Sequence, residues 1–178
     1  MKVAIVDYGM GNIRSIVSAL KYIDIQDIVV SANEQELKGA DKIILPGVGS
    51  FAAAMKLIKN KNLDSILNEI GMHQKKPVLG ICLGMQMLFD CSEECSTHQG
   101  LGYIQGSVVK IMSQSLNIKI PHIGWSRVSI NDSLFGKNIS MSDSYFYFIH
   151  SYHVKTSQAH VLGTTDYSGL PINSIVRN

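Results

Sequence analysis

Three short, mostly apolar runs constrain the fold of this chain more than any other feature of its sequence. They occupy Val3–Val6, Lys42–Leu45 and residues 77–81, and each leads through a glycine-containing turn into a segment with helical spacing of apolar residues. Continuous apolar strands that alternate with helices are typical of parallel sheets covered on both faces. The pattern therefore predicts an α/β fold with a mainly parallel sheet and helices on both of its faces.

The second half of the sequence has a different texture. Its β-like runs are shorter, and Asn, Asp, Ser and Gly separate them. We expect strands, in an extension of the sheet or a small antiparallel layer, at 107–111, 124–130, 145–149 and 160–165. No repeat or linker interrupts residues 1–178, which predicts a single domain. Residues 172–178 resemble a strand with nothing after it to cap the domain, which favours a domain truncated at its C-terminus.

Composition argues against several classes of protein. Sixteen Lys and Arg against fourteen Asp and Glu leave a net charge of +2 without a basic tract, which does not suggest nucleic-acid binding. No apolar stretch approaches the roughly 18 to 20 residues that cross a bilayer, and the first residues lack the pattern of a signal peptide. Cys82, Cys91 and Cys95 fit neither a disulfide framework nor a zinc site. We therefore expect a soluble cytoplasmic protein without a metal or cofactor, and with Cys91 and Cys95 as buried or partly buried thiols in a helix or loop.

The turn around Cys82 is the most informative local motif. An apolar strand runs into Gly80-Ile81-Cys82-Leu83-Gly84 and then directly into a segment with helical spacing, residues 83–89. Glycine at both flanking positions removes side chains where strand and helix approach closely, so that a sharp turn can expose the sulfur. A cysteine at a helix N-terminus also faces unpaired N–H groups and the positive end of the helix dipole, which favours the thiolate. The motif has the form of a nucleophile elbow and predicts that Cys82 is a nucleophile.

A second turn can supply what such a nucleophile requires. A tetrahedral intermediate on Cys82 needs hydrogen-bond donors directed at its oxyanion. The turn Pro46-Gly47-Val48-Gly49 follows a neighbouring predicted strand, and its backbone amides can donate at the same end of the sheet. The amide of Leu83, directly after the cysteine, would be the second donor. Turns of this composition are common, so position rather than composition supports this prediction.

Six segments in one order along the chain resemble the class I (triad) glutamine amidotransferases, and within them the glutaminase subunit of imidazole glycerol phosphate synthase. The segments are residues 7–12, 45–51, 77–86, 100–102, 121–125 and 147–152. The resemblance spans nearly the whole chain. It implies a flavodoxin-like α/β fold, in agreement with the fold that the apolar runs predict.

The resemblance also implies a reaction and a partner. The family hydrolyses L-glutamine to glutamate and ammonia, and the ammonia passes through a second protein. In histidine biosynthesis that protein is a TIM-barrel cyclase, which makes imidazole glycerol phosphate and an aminoimidazole carboxamide ribotide, so the chain would be half of a heterodimer. Close relatives supply ammonia for nucleotide-sugar or surface-glycan pathways with nearly the same motifs, and the sequence leaves this alternative open.

Position by position, the resemblance assigns roles to individual residues. Cys82 matches the nucleophile, and Val48 and Leu83 match the residues whose amides form the oxyanion hole. Gly47 and Gly49 shape the oxyanion turn. The positions that match the substrate site are Gly47, Gly49, Gln86, Glu94, Ser151 and Tyr152.

One part of the family pattern is absent from these residues. The family's catalytic histidine and glutamate lie in a His-Pro-Glu segment, and the 178 residues contain no His-Pro pair. The base takes the thiol proton and later protonates the leaving ammonia, and its loss costs about 10²- to 10⁴-fold in rate. His150 and His153 are the candidates for a substitute base. A catalytically impaired glutamine-binding partner is therefore an alternative function of another class, and an unrelated cysteine hydrolase or peptidase is a third.

Overall fold

The fold is that of a computed structural model, which describes residues 1–112, 118–130 and 144–178. Within these ranges the chain forms one parallel sheet of four strands and one mostly antiparallel sheet of eight strands. The parallel sheet and its helices come from the first half of the chain, and the other sheet comes from the second half.

The parallel sheet contains the three predicted strands and, at its edge, a fourth strand, β2, where the sequence has a further β-like run at 27–30. In chain order the strands are β1 (Val3–Val6), β2 (Ile28–Ser31), β3 (Lys42–Leu45) and β4 (Val78–Gly80). Their order across the sheet is β2-β1-β3-β4, and all neighbours are parallel. The strands β1, β3 and β4 therefore end at one edge of the sheet, where the turns that follow them meet.

Helices cover both faces of this sheet. They are α1 (Ile13–Tyr22), α2 (Glu34–Lys38), α3 (Phe51–Asn60) and α4 (Leu63–Asn68), and α4 continues into a π-helical turn at Glu69–His73. Alternate residues of β1 enter different cores, since successive side chains of a strand point to opposite faces. Val3 and Ile5 pack against Leu20 of α1, whereas Ala4 and Val6 belong to the larger core that contains α3 and α4. The predicted fold class is confirmed.

In this half α2 was not predicted, and the helix after Cys82 differs from its prediction. The polar segment 31–38 contains α2, because the Asn33 side chain accepts hydrogen bonds from the backbone N–H groups of Gln35 and Glu36. The helix after Cys82, α5, covers Leu83–Met87 and ends before residue 89. It stops because Phe89 begins the strand β5 (Phe89–Ser92), which pairs with the second sheet.

The second sheet is larger than the small layer that the sequence predicts. After β5 its strands are β6 (His98–Gln99), β7 (Ile104–Lys110), β8 (His122–Ile130), β9 (Ser144–His150), β10 (Tyr152–Lys155), β11 (Val161–Tyr167) and β12 (Leu170–Val176). Their order is β6-β5-β7-β10-β12-β11-β8-β9. The four predicted strands are present, while β5, β6 and β10 were not predicted. Cys91 lies half-buried in β5 and Cys95 is exposed, so the expectation of a helix or loop for Cys91 and of burial for Cys95 is wrong.

Two further results bear on expectations from composition. No helix in the described ranges is both long enough and apolar enough to span a membrane. The described residues also contain no cluster of three or more side chains suited to hold a metal ion.

Candidate active site

Cys82 lies in a strained turn between β4 and α5. Its backbone angles are φ +56° and ψ −117°, and a positive φ is unfavourable for a residue with a Cβ atom. Two backbone hydrogen bonds hold the turn: Ile81 N–H donates to the Leu45 carbonyl at 3.0 Å, and Gly84 N–H donates to the Ile81 carbonyl at 2.9 Å. The cysteine is exposed. The geometry is that of the sharp turn that the sequence predicts.

Glycines lock this turn against the turn at residues 46–49, the oxyanion loop. A Cβ atom on Gly84 would lie 1.9 Å from the Leu45 carbonyl oxygen, and one on Gly47 would lie 2.4 Å from the Gly84 nitrogen. A Cβ atom on Gly80 would lie 2.6 Å from the Met85 Cα atom. These distances leave no room for any side chain, so close packing fixes the oxyanion loop relative to Cys82.

The helix that follows Cys82 is short. α5 contains five residues, whereas the sequence predicted a helix that reached residue 89. A helix of this length has fewer aligned peptide dipoles than the predicted one, so its N-terminus carries a weaker positive potential than the predicted helix would. The first N–H groups of any helix still lack intrahelical partners, and the Leu83 amide is one of these.

Tyr8 supports the oxyanion loop from beneath, a role that the sequence did not assign. Its side chain is fully buried, and its hydroxyl donates to the Pro46 carbonyl at 3.0 Å. Burial, and after it the nearby Cys82, raise the pKa of Tyr8 to about 12, so the phenol stays protonated and remains a donor. The signal that could have identified it is an aromatic residue two positions after a buried strand, within a segment that the resemblance already included.

One large cavity is lined by most of the predicted site residues. Its volume is about 1170 Å³, above the roughly 300 to 1,000 Å³ of typical small-molecule pockets. Leu79 and Ile81, on and just after the edge strand β4, contribute apolar wall, as do Ile172, Ile175 and Val176. The predicted site residues that line it are Gly47, Val48, Cys82, Gln86 and Tyr152. The cavity therefore places Cys82, Gln86 and Tyr152 on one continuous wall.

The other predicted site residues lie outside the wall of this cavity. Gly49 has φ +85° and shapes the oxyanion loop, and the Leu83 side chain is buried in the core. Ser151 contributes its carbonyl to a hydrogen bond from Ile111 N–H at 2.9 Å. The remaining predicted residue, Glu94, has a structural contact of its own.

Glu94 holds the start of α3. Its Oε2 atom accepts a hydrogen bond from Phe51 N–H at 2.6 Å, at a helix N-terminus where Ser50 supplies no side-chain cap. Burial, and after it the charges of Glu94 and Cys95, raise the pKa of Tyr152. One carboxylate oxygen is thus engaged with the helix.

Gln86 and His150 converge on one backbone oxygen. The Nε2 atom of Gln86 donates to the Tyr152 carbonyl at 3.1 Å, and His150 Nδ1 lies 2.9 Å from the same oxygen. The other nitrogen of His150, Nε2, lies 2.9 Å from Nδ1 of His122. Both nitrogens of His150 are therefore occupied, which argues against its use as a substitute base.

His153 is the other histidine considered as a substitute base. It is 8% exposed, lines the same cavity, and has an Nδ1 atom without a hydrogen-bond partner in the described part of the chain. Burial first, and then the charges of Lys155 and His150, lower its pKa to about 4. A catalytic base works best with a pKa near the operating pH, so His153 is poorly matched to this task at neutral pH.

Comparison with known proteins agrees with this arrangement. The family model for class-I glutamine amidotransferases matches residues 4–174. The chain is 47% identical over 169 residues to imidazole glycerol phosphate synthase subunit HisH 1 of Methanococcus maripaludis, covering 93% of this chain and 81% of the relative. It is 42% identical to subunit HisH 2 of Vibrio vulnificus, covering 94% of this chain and 78% of the relative.

Solved structures share the fold. A crystal structure of a glutamine amidotransferase superposes with a TM-score of 0.73 at 17% identity, covering 96% of this chain and 82% of that one. The structure of PurLQS from Thermotoga maritima superposes with a TM-score of 0.59 at 18% identity, covering 94% and 76% of the two chains. At these identities the likeness concerns the fold alone, and it agrees with the fold class predicted from the sequence.

Proposed function

Because the chain belongs to the class-I glutamine amidotransferases, and within them to the HisH subunits of imidazole glycerol phosphate synthase, we propose that it hydrolyses L-glutamine and passes the ammonia to a synthase partner. The observation that carries this proposal is the strained turn at Cys82, packed through glycines against the oxyanion loop. Gln86 and Tyr152 lie on the same cavity as the cysteine. These are the elements, apart from a base, that a cysteine-dependent hydrolysis of an amide requires.

In the proposed reaction the sulfur of Cys82 attacks the carboxamide carbon of glutamine. The oxyanion that forms accepts hydrogen bonds from the backbone N–H groups of Val48 and Leu83, and Tyr8 holds the loop that carries the first of these. Collapse of this intermediate breaks the carbon–nitrogen bond, and the nitrogen leaves as ammonia after taking up a proton. Water then attacks the thioester, which releases glutamate and restores the thiol.

The proton transfers require a base, and the cavity beside Cys82 is where a segment that carries the base can bind. His150 is not suited to this role because both of its nitrogens are hydrogen-bonded. His153 is not suited because burial lowers its pKa to about 4. The cavity beside Cys82 is larger than a small substrate needs, and Leu79 of its edge strand is 58% exposed. We propose that a segment bearing the family's His-Pro-Glu sequence occupies this space in the active enzyme.

The partner is proposed to be a TIM-barrel cyclase, and one exposed surface fits a protein partner. We define the aromatic patch as the exposed side chains on one face of the β8–β9 ribbon: Ile123, Trp125, Tyr145, Tyr147 and Ile149. Trp125 is 71% exposed and contacts Tyr147 edge to face, with ring centroids 5.7 Å apart. Contiguous exposed apolar surface of this kind marks protein–protein contacts, and Trp and Tyr are enriched among the residues that dominate binding energy.

A second function is favoured by the same histidine geometry. If no group serves as the base, the chain would bind glutamine without hydrolysing it and would act as a non-catalytic partner of the synthase. In this alternative glutamine still binds in the cavity beside Gln86 and Tyr152. The two functions differ only in whether glutamine is hydrolysed.

Glutamate formation separates the two functions. We would measure it with the 178-residue chain and with the chain extended by a His-Pro-Glu segment, each alone and with a cyclase partner. Cys82→Ala is the catalytic control, and Cys91→Ala is the matched control at a cysteine outside the cavity.

The glutaminase proposal predicts turnover by the extended chain that Cys82→Ala abolishes and Cys91→Ala leaves intact, with an increase when the partner is added. The non-catalytic alternative predicts that glutamine raises the melting temperature in both forms while neither releases glutamate. Turnover that survives Cys82→Ala would contradict both.

A further inference from the structure

A continuous line of hydrogen bonds runs from strand β8 of the antiparallel sheet to the cavity. His122 Nε2 lies 2.9 Å from Ser126 Oγ, and His122 Nδ1 lies 2.9 Å from His150 Nε2. His150 Nδ1 then reaches the Tyr152 carbonyl at 2.9 Å, where Gln86 Nε2 also donates at 3.1 Å. The proposed site contains Gln86 and Tyr152, but the two histidines have no task in the proposed reaction.

The partners of each nitrogen determine where the protons lie. A carbonyl oxygen can only accept, so His150 Nδ1 carries a proton. Burial is the main cause that lowers the pKa of both His122 and His150, which keeps both rings neutral at pH 7. The Nε2 atom of neutral His150 therefore accepts from His122 Nδ1–H, and His122 Nε2 accepts from the Ser126 hydroxyl. Every bond of the line then has one donor and one acceptor.

Packing keeps the first of these rings in place. His122 is 1% exposed and is stacked between Phe148 and Tyr167, with ring centroids 4.7 Å and 3.9 Å from its own. His122 and His150 are direct cross-strand partners on β8 and β9. Rotation of either ring would break two hydrogen bonds, so the pair is a rigid support for the Tyr152 carbonyl.

This support determines which end of the Gln86 amide is offered to a ligand. The NH₂ group of Gln86 is directed at the Tyr152 carbonyl, which leaves Oε1 as the free acceptor of the side chain. Gln86 lies in α5, four residues after Cys82, and it lines the same cavity. An acceptor at this position suits a ligand that carries N–H donors, and L-glutamine carries them on its ammonium group and its carboxamide.

We propose that His122 and His150 are positioning residues for glutamine recognition: they fix the Tyr152 carbonyl and, through it, the orientation of the Gln86 amide in the cavity. The inference rests on the proposed glutaminase function. It concerns the binding of the substrate and not the proton transfers at Cys82.

The test uses a chloromethyl ketone analogue of glutamine, which needs no catalytic base to report on binding. The Cys82 thiolate attacks the chloromethyl carbon, a sulfur–carbon bond forms, and chloride leaves. The dependence of the labelling rate on reagent concentration gives a binding constant KI and a maximal rate kinact. A positioning role affects KI, while the rate with chloroacetamide, which has no amino-acid part, stays within about twofold of wild type.

Three variants at one position make the test specific. His150→Ala removes the donor to the Tyr152 carbonyl. His150→Asn places an amide N–H where Nδ1 was and keeps that donor, whereas His150→Gln places its amide near the Nε2 position. We expect KI to rise about tenfold in His150→Ala and His150→Gln, as for the loss of one buried hydrogen bond, and to stay within about threefold in His150→Asn.

Equal KI values for His150→Asn and His150→Gln would overturn the inference, and so would an unchanged KI in His150→Ala. The Asn and Gln variants are both polar, so this comparison holds even if His150→Ala lowers the melting temperature. Failure of the proposed function would look different: wild-type Cys82 would react no faster with the glutamine analogue than with chloroacetamide, and L-glutamine would not protect it.

Discussion

The parallel and antiparallel sheets contribute to the proposed site in different ways. In the parallel sheet, β1 is buried throughout, and the turns at the carboxyl edge approach each other so closely that only glycine fits. In the antiparallel sheet, the β8–β9 ribbon exposes a row of large apolar side chains. Under the proposed function, the reacting atoms depend on close packing, whereas partner binding depends on side chains that another molecule can cover.

The glycines of the two halves provide the largest expected contrast. Gly84→Ala should lower the free energy of unfolding by at least about 3 kcal/mol, because its Cβ atom would lie 1.9 Å from the Leu45 carbonyl oxygen. Gly169→Ala, in the antiparallel half, meets no atom within 4 Å and has φ +85°, so backbone strain alone should cost about 1 kcal/mol. Urea denaturation of both variants measures the difference. Equal losses would show that the carboxyl edge of the parallel sheet is not packed as described.

His153 should make stability depend on pH. Its folded pKa of about 4 lies below the usual value of 6.5, so below pH 6.5 the unfolded chain takes up a proton that the folded chain does not. Stability therefore falls as the pH falls from 6.5 towards 4, by up to about 3 kcal/mol from this residue. His153→Leu should remove this part of the slope in urea denaturation at pH 7 and pH 4.5, while His122 and His150 keep theirs.

The matched control for this prediction is His73→Leu, at an exposed histidine of the parallel half. It removes an exposed histidine and should not remove the part of the slope that is assigned to His153. A slope that persists in full in His153→Leu would contradict the assignment of the acid sensitivity to the antiparallel half.

Tyr8 tests the support of the oxyanion loop. Tyr8→Phe leaves the buried Pro46 carbonyl without its 3.0 Å hydrogen bond and should cost about 1 to 2 kcal/mol of unfolding free energy. The maximal rate of Cys82 labelling by the glutamine analogue should also fall, because the Val48 amide is held less firmly. Tyr22→Phe, at an 89% exposed tyrosine of the same half, is the control and should change neither quantity. An unaltered labelling rate in Tyr8→Phe would remove this residue from the site.

Trp125 should have the smallest effect on stability. Trp125→Ala truncates an exposed side chain of the aromatic patch and should change the free energy of unfolding by less than about 0.5 kcal/mol. If the patch binds the cyclase, the same change should weaken the complex by about 2 kcal/mol, measured by calorimetry. Tyr22→Ala, at an exposed aromatic residue outside the patch, should not weaken it. Unaltered binding in Trp125→Ala would place the partner on another surface.

The sequence predicted the parallel half well because its signals are local. Continuous apolar runs mark strands buried on both faces, and Gly80 and Gly84 around Cys82 mark a turn that admits no side chain. The end of α5 could not be predicted in the same way. Residues 83–89 have helical spacing of apolar residues. Phe89 nevertheless belongs to a strand, because β5 pairs with β7, and this pairing is not visible in the local sequence.

The antiparallel half and the support of the site were harder to predict. Strands β5, β6 and β10 are short, so no periodic pattern marks them. β6 pairs with the nearby β5, whereas β5 and β10 each pair with β7. The His122–His150 pair depends on the register of β8 and β9, which places the two rings side by side. Tyr8 and Glu94 likewise act through backbone atoms of distant residues, Pro46 and Phe51, and side chain–backbone contacts of this range leave no sequence pattern.

The most direct test of the central claim is the labelling of the cysteines by the chloromethyl ketone analogue of glutamine, followed by mass spectrometry. Cys91 and Cys95 are internal controls, and Cys95 is exposed like Cys82. If Cys82 is the nucleophile of a glutamine site, it is labelled selectively, and L-glutamine, but not D-glutamine, slows the reaction. Labelling that is equal at Cys82 and Cys95, or that glutamine does not slow, would contradict the claim that Cys82 is the nucleophile of a glutamine site.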